Sequence, residues 1–279
     1  YQTGNQELTP TMLRQSVKEI SRLVKEIYQH NLLTSLGRET LDYLREQRQL
    51  TPQLLDRFSL GCSISNYQIS KLLFPQQHFA ANLSSTNLVQ INDNYQVQDY
   101  FSSSQLILPL FGEKGEIIAF ASRKTNPSSS ESKYNYLPNY SNYQKSSLLY
   151  NYSAVRQHRA EDCYLVEGFF DVISLTKSGV ENCLALLGTN CSERQVQLLH
   201  QLKKRIILFL DGDQAGREAT LTIALTLLAH EIDCEVISYP YSGDPDEICQ
   251  IQENPQRSSR FVEEVTKLFT KFPENIKRF

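Results

Sequence analysis

Three apolar runs in the second half of the chain each end on acids. CYLVEGFFD delivers Glu167 and, four residues on, Asp171. IILFLDGDQAGRE delivers Asp211 and Asp213 about a single glycine, and SGDPDE, after CEVISYP, delivers Asp244 and Asp246. In an open α/β sheet, ligands gather at the carboxyl ends of the strands, so these acids are expected on one sheet edge. Each has a local explanation when taken alone. Asp171 and Asp213 suit helix starts, and GDPDE suits a turn. Together, converging carboxylates repel one another and cost stability unless cations neutralise them. Hard oxygen donors in that number suit Mg²⁺ or Mn²⁺ rather than zinc. Two or more such ions can align a nucleophile and a leaving oxygen for phosphoryl transfer. Gly168 and Gly212 let the backbone turn beside a bulky anion. LLGTNCS leaves a further strand through Gly188 and Thr189, another backbone-donor turn at the same edge.

The elements that must carry these acids begin near residue 160. There CYLVEG, CLALLG, RIILFLD and CEVISYP alternate with helical stretches at 171–178, 192–202 and 214–230. Buried apolar strands alternating with helices indicate a parallel α/β sheet. The first half is organised differently. Leu13, Val17, Ile20, Leu23, Val24 and Ile27 recur at helical spacing after Thr9-Pro10-Thr11, which predicts a helix over 9–36. Residues 36–50 and 51–61 are expected to form two more helices. Residues 62–104 read as irregular, with short helical or strand pieces. LILPLFGEKGEIIAFASR (106–123) is a hairpin signal with glycines suited to positive-φ turn positions. Residues 124–147 read as a long surface loop.

Composition narrows the class. The 279 residues are 40% hydrophobic, enough for a sizeable core, and no apolar stretch approaches the roughly 18 residues of a membrane span. No signal peptide is read, and a cytoplasmic protein without membrane contact is expected. The six cysteines form no CxxC pair and sit largely in apolar runs, which suits buried reduced thiols and argues against a zinc ribbon. The first residue is Tyr1 and the only Met is Met12, so a piece of a longer protein is expected. Residues 1–160 carry 16 basic against 12 acidic residues, whereas 161–279 carry 12 against 19. A binding half beside a metal-holding half would produce that asymmetry.

The acids, in this order, resemble the Toprim domain shared by bacterial primases, topoisomerases and some nucleases. Its signature is a strand-end glutamate followed by Asp-x-Asp, here Glu167, Asp211 and Asp213. EGFFDVISL, LALLGTNCS, DGDQAGREA and GDPDE are similar to motifs of one family in particular, the bacterial replicative primases of the DnaG type. LILPLFGEKGEIIAFASR, KYNYLP (133–138), YQKSSLLYN and TLDYLREQRQLTPQLLDRFSLG extend the resemblance upstream, so that it covers roughly residues 35 to 255.

The resemblance implies an α/β protein, α+β overall. It would comprise a mixed N-terminal lobe (1–159) that binds template and nucleotide, a Toprim lobe (160–252), and the start of a C-terminal helical part (253–279). It implies DNA-directed RNA primer synthesis on single-stranded DNA. Glu167, Asp211 and Asp213 would be catalytic, and would hold Mg²⁺ or Mn²⁺ with Asp244 and Asp246, with Asp171 in support. Arg123, Lys133, Tyr134 and Lys145 would contact template or nucleotide. Implied partners are a DNA template, NTPs, the RNA primer, and a replicative helicase reached through a domain outside this chain, with a monomeric core. Residues 101–160 hold seven basic and three acidic residues among many tyrosines, a mixture that suits single strands through phosphate contact and base stacking.

Two other readings are open. A Toprim nuclease would need only the acids, and a topoisomerase would need a nucleophilic tyrosine in a separate domain; KYNYLP and LLYN favour neither. An inert template-binding scaffold sits badly with a complete set of acids. The chain departs from the family at several places: Gln105 where an arginine is usual, Gln49 for a helix-ending glycine, Gln214 at an often basic position, and the polar insert NPSSSES.

Overall fold

The computed structural model describes residues 10–64, 68–73, 83, 86–91, 93–94, 96–125, 132–137, 144–237, 242–253 and 276–278. Two compact units emerge from the packing. One comprises Tyr1–Leu110 and Glu116–Tyr143, the other Phe111–Gly115 and Gln144–Phe279.

The first unit opens on α1 (Pro10–Leu32), whose Ile20, Val24, Tyr28 and Leu32 form a buried stripe four residues apart. That stripe meets β1 (Gly61–Ser63). A Cβ added to Gly61 would lie 2.6 Å from Cβ of Tyr28, so the glycine permits the approach. The helix expected over 36–50 is interrupted. α2 covers Arg38–Asp42, and Tyr43–Gln47 winds on as a π turn closed by the Arg48 amide on the Tyr43 carbonyl. α3 (Pro52–Arg57) starts where expected, with Pro52 in its first turn and Thr51 Oγ1 accepting from the Leu54 amide. α4 (Gln68–Leu73) and the short hairpin β2 (Val89–Ile91) and β3 (Val97–Asp99) fill the irregular stretch. Asp99 joins them, accepting from the amides of Ile69 and Ser70 at 2.7 and 2.8 Å.

The predicted hairpin is β4 (Gln105–Phe111) and β5 (Ile117–Arg123). Gly115 takes the positive φ of the turn, +80°, whereas Gly112 does not. The loop expected at 124–147 contains β6 (Tyr134–Tyr136), which gives a four-stranded sheet in the order β1-β4-β5-β6. Alternation of Tyr, Asn and Tyr over three residues is too short to signal a strand; β5 supplies the ladder that extends them.

The second unit has α5 (Tyr152–Gln157), then β7 (Asp162–Val166), α6 (Phe169–Lys177), β8 (Cys183–Ala185), α7 (Glu193–Leu202), β9 (Arg205–Leu208), α8 (Gln214–Ala229), β10 (Cys234–Ile237) and α9 (Pro245–Glu253). The four strands are parallel, in the order β10-β9-β7-β8, as the strand–helix alternation predicts. Cys163, Leu165, Leu184, Ile206, Leu208 and Val236 fill the core from the strands, with Val196, Leu199, Ile223 and Leu227 packed on them.

At the end of the chain, where a helical segment is expected over 253–279, Glu253 closes α9 and Ile276–Arg278 form β11, paired antiparallel with β10 at the sheet edge. Residues 254–275 lie outside the described residues, as do most of NPSSSES, Tyr140 and Tyr143. All six cysteines are free, and five are buried. Among the described residues no helix is long and apolar enough to cross a membrane.

Candidate active site

Strand order decides which acids can meet. β7 and β9 are adjacent, so the residues following each emerge side by side. Glu167 follows β7 directly and is half-buried, and its Oε1 accepts from the Asp211 amide at 3.4 Å. Burial raises the proton affinity of Glu167. The Asp211 amide opposes this, and the charges of Asp213 and Asp244 add to it. The third acidic loop reaches the same edge, because the Gly212 amide donates to the Gly243 carbonyl at 3.0 Å.

Asp213 caps α8. Its Oδ1 accepts from the Gly216 amide at 2.7 Å, while the residue itself remains exposed. Gly216 is required for that approach, since a Cβ there would stand 2.1 Å from the Asp211 carbonyl oxygen. The Arg217 guanidinium donates to the Gly212 carbonyl and braces the loop from outside.

Asp171 lies deeper, 6% exposed in the first turn of α6. Its Oδ2 accepts from the Gly168 amide at 2.7 Å and its Oδ1 from the Asp246 amide at 3.3 Å. Burial pushes its carboxyl well above the usual range, and the charges of Asp244, Asp211 and Asp246 push the same way. Asp244 starts α9, its Oδ1 accepting from the Glu247 amide at 2.7 Å. Asp246, also 6% exposed, turns inward, and its Oδ1 accepts from Ser174 Oγ at 2.6 Å and Gln250 Nε2 at 2.8 Å.

The six predicted acids therefore share one electrostatic neighbourhood but occupy two depths. Glu167, Asp211, Asp213 and Asp244 line the rim, whereas Asp171 and Asp246 fasten α9 to α6. Sequence reasoning missed Gln250, whose spacing of four from Asp246 on one helix was readable, and Ser174, whose partner Asp246 lies 72 positions away. It also missed Leu187, whose amide donates to the Glu167 carbonyl at 2.8 Å from a left-handed conformation, φ +59°. A leucine carries no signal for that backbone.

Among the described residues no three His, Cys, Asp or Glu side chains already stand in a metal-holding group. The fit to a hard divalent cation lies in donor type and in carboxylates whose proton affinity is raised by burial and by one another's charge, not in a finished cage.

The residues predicted to contact template or nucleotide have distinct settings. Lys133 is exposed, Tyr134 is half-buried, and Arg123 is buried at the end of β5. Lys145, in a 3₁₀ turn of the second unit, is half-buried, and loss of hydration lowers its ammonium pKa. Gln105 is internal, accepting from Ser122 Oγ at 2.6 Å and donating to Ser103 Oγ at 2.8 Å. Its glutamine therefore completes a buried polar network.

Comparison with known proteins finds two domain families along the chain. Residues 27–156 match the N-terminal domain of the DNA primase catalytic core, and 164–249 match a Toprim-like domain. The chain belongs to the DNA primase family. The DNA primase of Staphylococcus epidermidis is 29% identical over 259 residues, which are 91% of this chain and 42% of that protein. The DNA primase of Enterococcus faecalis is 31% identical over 244 residues, 84% of this chain and 38% of that protein. The chain thus spans about two fifths of the length of these primases. Its fold is that of primase cores of known structure. A DNA primase domain from Pseudomonas aeruginosa has a TM-score of 0.76 at 24% identity, covering 94% of this chain and 79% of that one. A DnaG primase catalytic domain bound to ssDNA has a TM-score of 0.75 at 22% identity, covering 92% and 82%. Toprim primases are generally metal-dependent.

Proposed function

We propose that this chain is the catalytic core of a primase and joins ribonucleotides on a single-stranded DNA template. The observation that carries the reading is the acid rim of Glu167, Asp211, Asp213 and Asp244, occurring in one chain with the N-terminal lobe found in primases. The first unit would hold template and the second would carry the chemistry. The 3′-hydroxyl of an initiating nucleotide or growing primer attacks the α-phosphorus of an NTP, and pyrophosphate departs.

Glu167, half-buried at the end of β7 beside the Asp211 amide, is the group suited to take the hydroxyl proton. Asp211, Asp213 and Asp244 would hold two or more Mg²⁺ or Mn²⁺ ions with it, and these ions would neutralise charge on the triphosphate oxygens. Asp171 and Asp246 fasten α9 to α6, which holds the loop of Asp244 beside that of Asp211. Lys133 and Lys145 supply phosphate contacts in their respective units, and the loss of hydration at Lys145 favours a charged partner.

The alternative is a Toprim-type nuclease acting through the same acids. Incubation with single-stranded DNA, NTPs and Mg²⁺ or Mn²⁺ separates the two. RNA products dependent on template and NTPs support primer synthesis. Shortened DNA without nucleotide incorporation would replace it with the nuclease.

A further inference from the structure

In the first unit a buried arginine stands between two tyrosine rings. Arg123 ends β5 at 7% exposure, and its guanidinium carbon lies 5.6 Å from the ring centre of Tyr43 and 5.4 Å from that of Tyr134. Its Nη1 also donates to the Tyr134 hydroxyl at 3.0 Å. Tyr43 opens the π turn that interrupts the second helix, and that turn brings Arg48 back over the same ring. The Arg48 guanidinium carbon is 5.5 Å from the Tyr43 centroid, and its Nε donates to the Tyr43 hydroxyl at 2.7 Å. On the other side, the rings of Tyr134 and Tyr136 are 6.5 Å apart. The result is a ladder running Arg48, Tyr43, Arg123, Tyr134, Tyr136. Its inner rungs are buried, and its last two are half-buried on β6, the edge strand of the sheet.

Two features set the role of Arg123. Arg123 and Tyr134 are direct cross-strand partners, so they share one face of the sheet. A guanidinium 7% exposed and enclosed between two rings offers little surface to a solvated phosphate, whereas Lys133, one residue before Tyr134, is exposed. A planar guanidinium can stack and donate at the same time, which an ammonium cannot.

We propose that Arg123 is a positioning residue whose stack holds Tyr134, with Tyr136 beside it, as a base-stacking face for single-stranded nucleic acid. Lys133 supplies the phosphate contact next to it. This rests on the template-binding reading given above, and it replaces the phosphate contact expected of Arg123 by an indirect role.

The test measures binding of the 279-residue chain to an oligodeoxythymidine carrying one 2-aminopurine, across a salt series. Quenching of the 2-aminopurine reads base stacking, and the slope of log affinity against log salt reads phosphate contacts. Arg123→Lys is expected to weaken binding about tenfold and reduce quenching, with the salt slope unchanged. Lys133→Ala is expected to lower the slope by about 0.7 with quenching intact. Tyr134→Leu, which keeps bulk at a half-buried site and does not depend on Arg123 variants folding, is expected to lose the quenching. If Arg123→Lys binds and quenches as the parent does, while Arg123→Ala lowers the salt slope, Arg123 is a phosphate contact and the positioning role is overturned. If the parent chain binds no single strand at any salt, the template reading itself fails, and the positioning role with it.

Discussion

The Asp211 amide donates to the Glu167 carboxylate across the junction of β7 and β9, so the two motif acids are coupled through backbone as well as charge. The hydrogen bond needs only an acceptor oxygen, whereas the chemistry needs the negative charge. Glu167→Gln separates the two requirements, because the amide retains an acceptor. Primer synthesis is expected to fall by roughly 10³-fold while the melting temperature holds or rises. Product formation on single-stranded template and a thermal melt measured side by side check this. Full activity in the variant would remove Glu167 from the mechanism.

Metal-free protein is expected to lose stability as pH rises from about 4 toward 7. Glu167 and Asp171 have folded-state proton affinities above their unfolded values. The folded chain therefore keeps protons that the unfolded chain has released. Stability is greatest below the unfolded carboxyl value of about 4 and declines as pH climbs through the folded values. Mg²⁺ is expected to reverse the decline, raising the melting temperature more at pH 7 than at pH 5. Asp244→Asn, which removes a charge acting on both groups and keeps an acceptor for the Glu247 amide, is expected to flatten it. A melting temperature that climbs with pH and ignores Mg²⁺ would contradict the shared-cation reading.

Gly216 and Gly188 give a contrasting pair. A methyl group at Gly216 meets the Asp211 carbonyl at 2.1 Å, whereas one at Gly188 meets nothing within 4 Å. Gly216→Ala is expected to cost about 1–3 kcal/mol in urea unfolding and to depress primer synthesis by displacing the Asp211 loop. Gly188→Ala should leave stability within about 0.5 kcal/mol of the parent.

Asp246 is predicted to stabilise rather than to ligate. Asp246→Ala leaves Ser174 and Gln250 without their shared acceptor and is expected to cost about 1–3 kcal/mol in protein free of metal. A double-mutant cycle with Ser174→Ala should give coupling of about 0.5 kcal/mol or more. A ligand role would show the reverse pattern, with unchanged metal-free stability and a lost Mg²⁺ response.

Much of the second unit was legible because its signals are local. Apolar runs ending on acids, a capping aspartate at Asp213 and helices between strands depend on neighbours within a few residues, and the parallel sheet follows from their alternation. The convergence of Glu167, Asp211 and Asp244 was inferable from the rule that strand ends share an edge. Which acids would turn inward was not, because Asp246 meets Ser174 across 72 positions of sequence, and only the packing of α9 on α6 sets that contact. The same holds in the first unit. KYNYLP marks a motif, but whether its tyrosine stands free or leans on a buried arginine depends on β6 pairing with β5 and on a π turn that brings in Tyr43. Residue type and spacing determined the chemistry available to this protein. Tertiary packing decided which charges face solvent and which hold the frame, because burial and long-range partners are set only when distant segments meet.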